Sequence, residues 1–205
     1  MHDPLRRQWR DVLAAWAVGP SHADREFQAI CTHYGEAGRF YHTLEHIRNV
    51  LDMVEGLATH ARNRSAVTLA AWLHDVIYDS RAADNEEPSA HYAKQFCETL
   101  SSPAGSSVAA LILKTRTHDA ADDPDAQVLL DADLAILGAS DSDCRKYFEQ
   151  IRQEYACVPE SDYRTGRRQV LTRFLARPRF YHLLRHLEAP ARRNLTAEIA
   201  RLAGG

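Results

Sequence analysis

The stretch Val67-Thr68-Leu69-Ala70-Ala71-Trp72-Leu73-His74-Asp75-Val76-Ile77-Tyr78-Asp79 combines two signals. Val67, Leu69, Ala70, Leu73, Val76 and Ile77 recur at helical spacing, but on more than one face. That width predicts a central helix buried on several sides and running through Ile77. Near its end stand an imidazole and a carboxylate, His74 and Asp75. A carboxylate between apolar neighbours is costly to bury unless it is paired or bound to a metal ion.

Helical spacing continues in both directions. Upstream, Leu44, Ile47, Val50, Leu51, Val54 and Leu57 form one apolar stripe. Phe27, Ile30 and Tyr34 mark a helix ended near Gly35, and Leu5, Trp9, Val12, Leu13 and Trp16 mark one stopped by Gly19-Pro20. Downstream, Asp84 and Glu87 have capping-box spacing before a helix through Tyr92, Phe96 and Leu100. Ser101-Ser102-Pro103-Ala104-Gly105 breaks it, and Val108, Leu111 and Ile112 begin the next. Residues 119–125 read as a polar loop, and Val128 to Leu137 as a short helix ended by Gly138. Ser140 caps a helix with Cys144, Tyr147, Phe148 and Ile151. Val170, Leu171, Phe174 and Leu175, then Leu195, Ile199 and Leu202, mark the last two. No segment alternates with the period of a strand. The expected fold class is therefore all-α, a single helical domain over 1–205 with a motif core at about 39–138 and the helices of 140–205 packed on it. Arg39-Phe40-Tyr41-His42-Thr43-Leu44-Glu45-His46 is echoed by Arg179-Phe180-Tyr181-His182-Leu183-Leu184-Arg185-His186, but the flanks differ, so the second copy reads as chance or packing rather than a repeat. The Phe180-Tyr181 region and the Trp9-Trp16 face suit an interface or the core.

Composition narrows the function classes. Hydrophobic residues make up 45% of the 205, enough for a core of this size. A net charge of −3 gives no overall basic field, so nucleic acid is not the expected partner. The Arg167-Arg168 and Arg192-Arg193 pairs read as solvated helix faces. Cys31, Cys97, Cys144 and Cys157 form no C-x-x-C pair, and a buried reduced thiol is the default for each. Met1 to Trp9 lacks the apolar core of a signal peptide. No run approaches the roughly 18 apolar residues of a membrane span. A cytoplasmic enzyme or binding protein is expected.

Four places carry candidate chemistry: His46 at the opening of an amphipathic helix, the His74-Asp75 pair, His118 at a helix end, and Asp131 and Asp133 among Leu, Ala and Ile. Singly, each has an ordinary reading as a cap, a hydrogen-bonded histidine or a helix-end charge. Together they form an imidazole and carboxylate set without thiolate, which suits a divalent ion such as Mn, Co, Ni, Fe, Zn or Mg.

In order, His46, His74-Asp75 and Asp133 resemble the H…HD…D signature of the HD superfamily. More narrowly, Tyr41-His42-Thr43-Leu44-Glu45-His46-Ile47, His74-Asp75-Val76-Ile77-Tyr78-Asp79 and Asp84-Asn85-Glu86-Glu87-Pro88-Ser89-Ala90 resemble a bacterial group of predicted metal-dependent phosphohydrolases. The resemblance implies an HD-domain helical bundle with extra N- and C-terminal helices. It implies His46, His74, Asp75 and Asp133 as ligands of one octahedral-like ion with water in the open positions. The implied reaction is hydrolysis of a nucleotide or other small phosphate ester by a metal-activated water. HD enzymes that hydrolyse guanosine tetraphosphate carry a Glu-Asp pair where this chain has Tyr78-Asp79. Asp79, one helical turn after Asp75, is thus a general acid/base candidate. Glu86, Glu87 and His42 are further candidates. HD proteins with two metals add two histidines in the interval that here holds His91 and His118, so the resemblance leaves a second ion at these two open. Arg39, Lys114, Arg116 and Arg81 are the candidate phosphate-binding cations.

Two other functions fit the same scaffold: a dinuclear-iron oxygenase, and a non-catalytic module that binds a nucleotide or a partner. A serine hydrolase does not fit, because no G-x-S-x-G elbow is present. No glycine-rich phosphate loop is present either. The oligomeric state has no sequence signal.

Overall fold

A computed structural model describes residues 3–100 and 102–204, so Met1, His2, Ser101 and Gly205 lie outside the described residues. Ten α-helices and no strand are present among them: α1 (Asp3–Ala14), α2 (Pro20–Tyr34), α3 (Leu44–Gly56), α4 (Arg64–Leu73), α5 (Glu86–Thr99), α6 (Gly105–Thr115), α7 (Pro124–Leu134), α8 (Asp141–Glu154), α9 (Glu160–Leu175) and α10 (Glu188–Ala203). The all-α expectation holds.

Helix α4 is the axis of the core, as its apolar width predicts. It packs against α1, α3, α5, α6 and α7, and Val67, Leu69, Trp72 and Leu73 are fully enclosed. Trp72 meets Trp9 edge-on at 5.2 Å and Phe27 at 6.2 Å, so α1 and α2 close over it. Trp9 is core, with its indole N–H donating to the Ala23 carbonyl at 2.9 Å. Trp16 is partly buried against the same cluster.

The helix does not run through Ile77. It ends at Leu73, and the chain turns over residues 74–77. A helix end leaves carbonyls without partners, and here side chains from the α2–α3 region take them. The Tyr34 hydroxyl donates to the Trp72 carbonyl at 2.8 Å. The Arg39 guanidinium donates to the carbonyls of Asp75 at 2.7 Å and Val76 at 2.9 Å. Ser89 on α5 accepts from the Ile77 N–H and donates to the Ile77 carbonyl.

Other boundaries differ in smaller ways. Asn85, not Asp84, stands at the cap position of α5, and its side chain is committed to the Asp79 backbone in both directions, at 2.9 and 3.0 Å, so no capping box forms. Asp123 caps α7 by accepting from the N–H groups of Asp125 and Ala126, with Pro124 at the first position. That start removes the end of the expected loop. Gly138 ends no α-helix but lies in a 3-10 turn, Ala135–Gly138. A Cβ there would lie 2.6 Å from the Leu187 Cβ, so close approach of the next layer explains the glycine rather than a left-handed conformation. The Ser140 cap forms, accepting from the Asp143 N–H.

The C-terminal helices are locked to the motif core by buried carboxylates. Glu154, at the end of α8, accepts from the backbone N–H groups of Phe40, Tyr41 and His42 at 2.8 to 2.9 Å. Reciprocally, Asp131 on α7 accepts from the N–H groups of His182, Leu183 and Leu184. The echo between residues 39–46 and 179–186 thus corresponds to two loops, each clamped by a carboxylate from the other part of the chain. Phe180 and Tyr181 are buried, so packing is the role of the second. Arg168 and Arg193 are exposed, as read, but their neighbours are not. Arg192 joins Glu188 to the carbonyls of Leu175 and Arg177, and Arg167 faces inward. All four cysteines are free; Cys97 and Cys144 are buried, whereas Cys31 is half-buried and Cys157 exposed, against the default reading.

Candidate metal centre

Helices α3, α4 and α7 pack on one another, and each delivers donors to one point. His46 lies in the first turns of α3, whose Thr43 cap accepts from the Glu45 N–H. His74 and Asp75 follow α4. Adjacent residues of an α-helix point about 100° apart, so a continued helix would aim these two side chains in different directions. The turn held by Arg39 brings both to the same place. Asp133 comes from the end of α7.

The donors converge. His46 Nε2 lies 3.2 Å from His74 Nε2, 3.4 Å from Asp75 Oδ2 and 3.3 Å from Asp133 Oδ1. His74 Nε2 lies 3.0 Å from Asp75 Oδ2 and 3.5 Å from Asp133 Oδ1. His46, His74 and Asp75 form the one group of potential ligands within 4.8 Å of one another among the described residues, and Asp133 joins it through both imidazoles. Around an ion with bonds of about 2.1 Å, neighbouring ligand atoms stand about 3.0 Å apart in an octahedron and about 3.4 Å in a tetrahedron. The spacings within His46, His74 and Asp75 fall on that scale, so these three fit a single divalent cation, and Asp133 stands beside both imidazoles at 3.3 and 3.5 Å.

The electrostatics fit as well. His74 Nδ1 meets the Ala71 carbonyl at 3.0 Å, which places a hydrogen on Nδ1 and leaves Nε2 to present a lone pair when the ring is neutral. Burial pushes the His74 pKa down, but the charges of Asp75 and Asp133 outweigh it and hold the ring well above the usual histidine value. His46 is raised for the same reasons, against its own burial. Burial would raise Asp75 and Asp133, yet the surrounding histidines hold both well below the usual carboxylate range. Two half-buried carboxylates drawn together therefore demand positive charge in their midst. Protons on the imidazoles or a metal ion can supply it.

Around this core stand two more histidines. His118, just past α6 with a φ of 50°, meets Asp133 Oδ2 at 3.0 Å through Nε2. That contact makes it an outer partner of a ligand. His91 is exposed on α5, and the group of potential ligands found among the described residues includes neither it nor His118, the pair read as a candidate second site. His42 stacks on Tyr78 at 4.2 Å, and its Nδ1 meets Glu154 Oε2 at 2.7 Å. Tyr78 donates to the same oxygen at 2.9 Å. The His42 ring lies 5.9 Å from that of His46, and it lines a cavity of about 200 Å³ together with His118 and Asp133. A second cavity, of about 560 Å³, is lined by His46 and Asp133 among others.

The other expected residues lie elsewhere. Asp79 is exposed and binds Arg81; with no helix between residues 75 and 79, the one-turn argument for it lapses. Glu87 pairs with Arg116 at 2.7 Å. Glu86 is half-buried and lines neither cavity. Arg39 is buried among carbonyls and is no phosphate-binding cation. Lys114, Arg116 and Arg81 are paired with Asp123, Glu87 and Asp79. Asp131, raised alongside Asp133, is wholly occupied by the N–H groups of 182–184. Sequence reasoning missed Glu154. The available signal was its spacing: it falls three residues after Ile151, on the side of the Cys144–Phe148–Ile151 stripe, where a charge needs a partner.

No protein-family model matches this chain, and no match was found among curated proteins or solved structures.

Proposed function

We propose that the chain is a metal-dependent phosphohydrolase of the HD type, acting on a small phosphate ester, nucleotides among the class. The observation that carries the reading is that two imidazole nitrogens, from α3 and the turn after α4, each stand 3.0 to 3.5 Å from a carboxylate oxygen of Asp75 and of Asp133. His46, His74, Asp75 and Asp133 would hold the ion. A divalent cation in such a set lowers the pKa of a water and polarises a phosphoryl oxygen.

The chain's own groups supply the rest. Glu154 holds His42 by Nδ1, which fixes the ring and leaves Nε2 to exchange a proton or to donate to a phosphoryl oxygen. His118 steadies Asp133. His42 thus takes the acid/base role in preference to Asp79, Glu86 and Glu87, which point away from the cluster. A dinuclear-iron reading is less favoured, because the potential ligands grouped among the described residues form one set, without His91.

The test crosses Mn²⁺, Co²⁺, Ni²⁺, Fe²⁺, Zn²⁺ and Mg²⁺ with nucleotides and simple phosphate esters and measures phosphate release. Asp75→Asn should abolish turnover. Activity that survives in that variant, or that ignores chelation of the metal, would reject the reading. A ligand that raises the melting temperature without any metal-dependent turnover would favour the binding-module alternative.

A further inference from the structure

We propose that Arg167 is the anion anchor of the small cavity beside the metal cluster, and that this cavity seats the phosphoryl group of a compact phosphate ester. The clue is a cation without a counter-ion. Arg167 is on α9, yet its side chain turns inward, and its Nε is shut off from solvent with no hydrogen-bond acceptor. Its one side-chain partner is neutral: Nη2 donates to the Tyr147 hydroxyl at 2.9 Å. The guanidinium lies 5.7 Å from the Tyr147 ring and 5.9 Å from the Phe148 ring. No carboxylate ion-pairs with it among the described residues. Arg167 as a whole is half-buried, and a cation drawn out of water without a counter-ion costs stability unless something else is gained. Arginine's planar fork suits two oxygens of a phosphate.

Its position gives the reason. Arg167 lines the same cavity of about 200 Å³ as His42, His118 and Asp133, and is the only lysine or arginine lining it; Leu171 and Phe174 supply apolar wall. The candidate acid/base, a candidate metal ligand and the Arg167 cation thus line one cavity. The cavity is smaller than the roughly 300–1,000 Å³ typical of drug-sized ligands. It admits a phosphoryl group with a short body; a larger substituent would have to extend past Tyr41 and Tyr147 into the 560 Å³ cavity, which those two residues also line.

The inference deepens the hydrolase reading and takes the identity of the anion from it. The two are separable by titration calorimetry on the full chain. Mn²⁺ is titrated first, then inorganic phosphate into the Mn²⁺-loaded protein. Wild type and Arg167→Met should bind Mn²⁺ alike, while phosphate binds Arg167→Met at least ~10-fold more weakly. In phosphate-free buffer the Arg167→Met melting temperature should equal or exceed that of wild type, as expected of a charge kept for a ligand rather than for the fold. Equal phosphate affinity, or a clear loss of melting temperature with phosphate affinity retained, overturns the proposal. If Arg167→Met does not fold, Arg167→Lys decides: it keeps the charge and loses the fork, so phosphate should weaken several-fold, and wild-type affinity would overturn the anchor. Failure of wild type to bind Mn²⁺ would instead count against the metal reading. Phosphate titrated into the metal-free protein, with and without Arg167→Met, would then still settle the anchor.

Discussion

At the scale of single residues, two aspartates one position apart do different work. Asp133 faces the imidazoles, whereas Asp131 gathers three backbone N–H groups. Asp131→Ala leaves those buried donors unsatisfied and should cost about 2–4 kcal/mol of stability, measured by denaturant unfolding. Asp133→Asn should instead abolish metal binding, with a smaller effect on the unfolding midpoint. The same scale carries two pH dependences. His46 and His74 hold protons above the usual histidine value, so a metal ion must displace them. Affinity should therefore rise with pH, by up to about two decades per unit while both rings are protonated, and titration calorimetry in buffers of different ionisation enthalpy should detect the released protons. For Glu154, burial acts to raise the carboxyl, but His42 and the backbone N–H groups bring it from 4.5 down to about 2. A depressed carboxyl stabilises the fold fully above its unfolded pKa and loses that contribution as pH falls through the folded one. Acid unfolding between about pH 4.5 and 2 should be blunted in Glu154→Gln, because a contribution on the order of 3 kcal/mol is already absent there.

At the scale of elements, helix periodicity predicted the α-helices because their apolar faces are buried as the pattern requires. Boundaries were less legible. The end of α4 depends on Arg39 and Tyr34, some 35 positions away, taking carbonyls that the local pattern assigns to further helical turns. Order along the chain suggested His46, His74, Asp75 and Asp133, since a charge in an apolar stripe needs a reason. It could not separate Arg39, which satisfies carbonyls, from a phosphate-binding cation, nor Arg167, which faces a cavity, from the solvated Arg168. Those distinctions rest on which way a side chain turns relative to distant elements. A consequence at this scale is that Arg39→Ala should loosen the 74–77 turn. We expect a loss of about 2–4 kcal/mol together with weaker metal binding, although Arg39 touches no donor atom. Arg39→Lys, which cannot reach several carbonyls with a planar fork, should restore only part of both.

At the scale of the whole molecule, a cation held as proposed, by donors from α3, the turn after α4 and α7, would bind the folded chain alone. It should raise stability by about 2.7 kcal/mol at a free concentration one hundred times its dissociation constant. Chelator should lower the melting temperature of wild type and leave that of Asp75→Asn unmoved. No helix of the described residues is long and apolar enough to cross a membrane.

The two carboxylate clamps run in opposite directions along the chain. Glu154 reaches back to residues 40–42, and Asp131 is reached by residues 182–184. A fragment cut after Ala139 would contain every metal donor, yet it would have lost the acceptor for one loop and left Asp131 a bare charge in its interior. The boundary between core and appendage is thus one of sequence only. Melting should be all-or-none, with circular dichroism and tryptophan fluorescence tracing one superimposable curve.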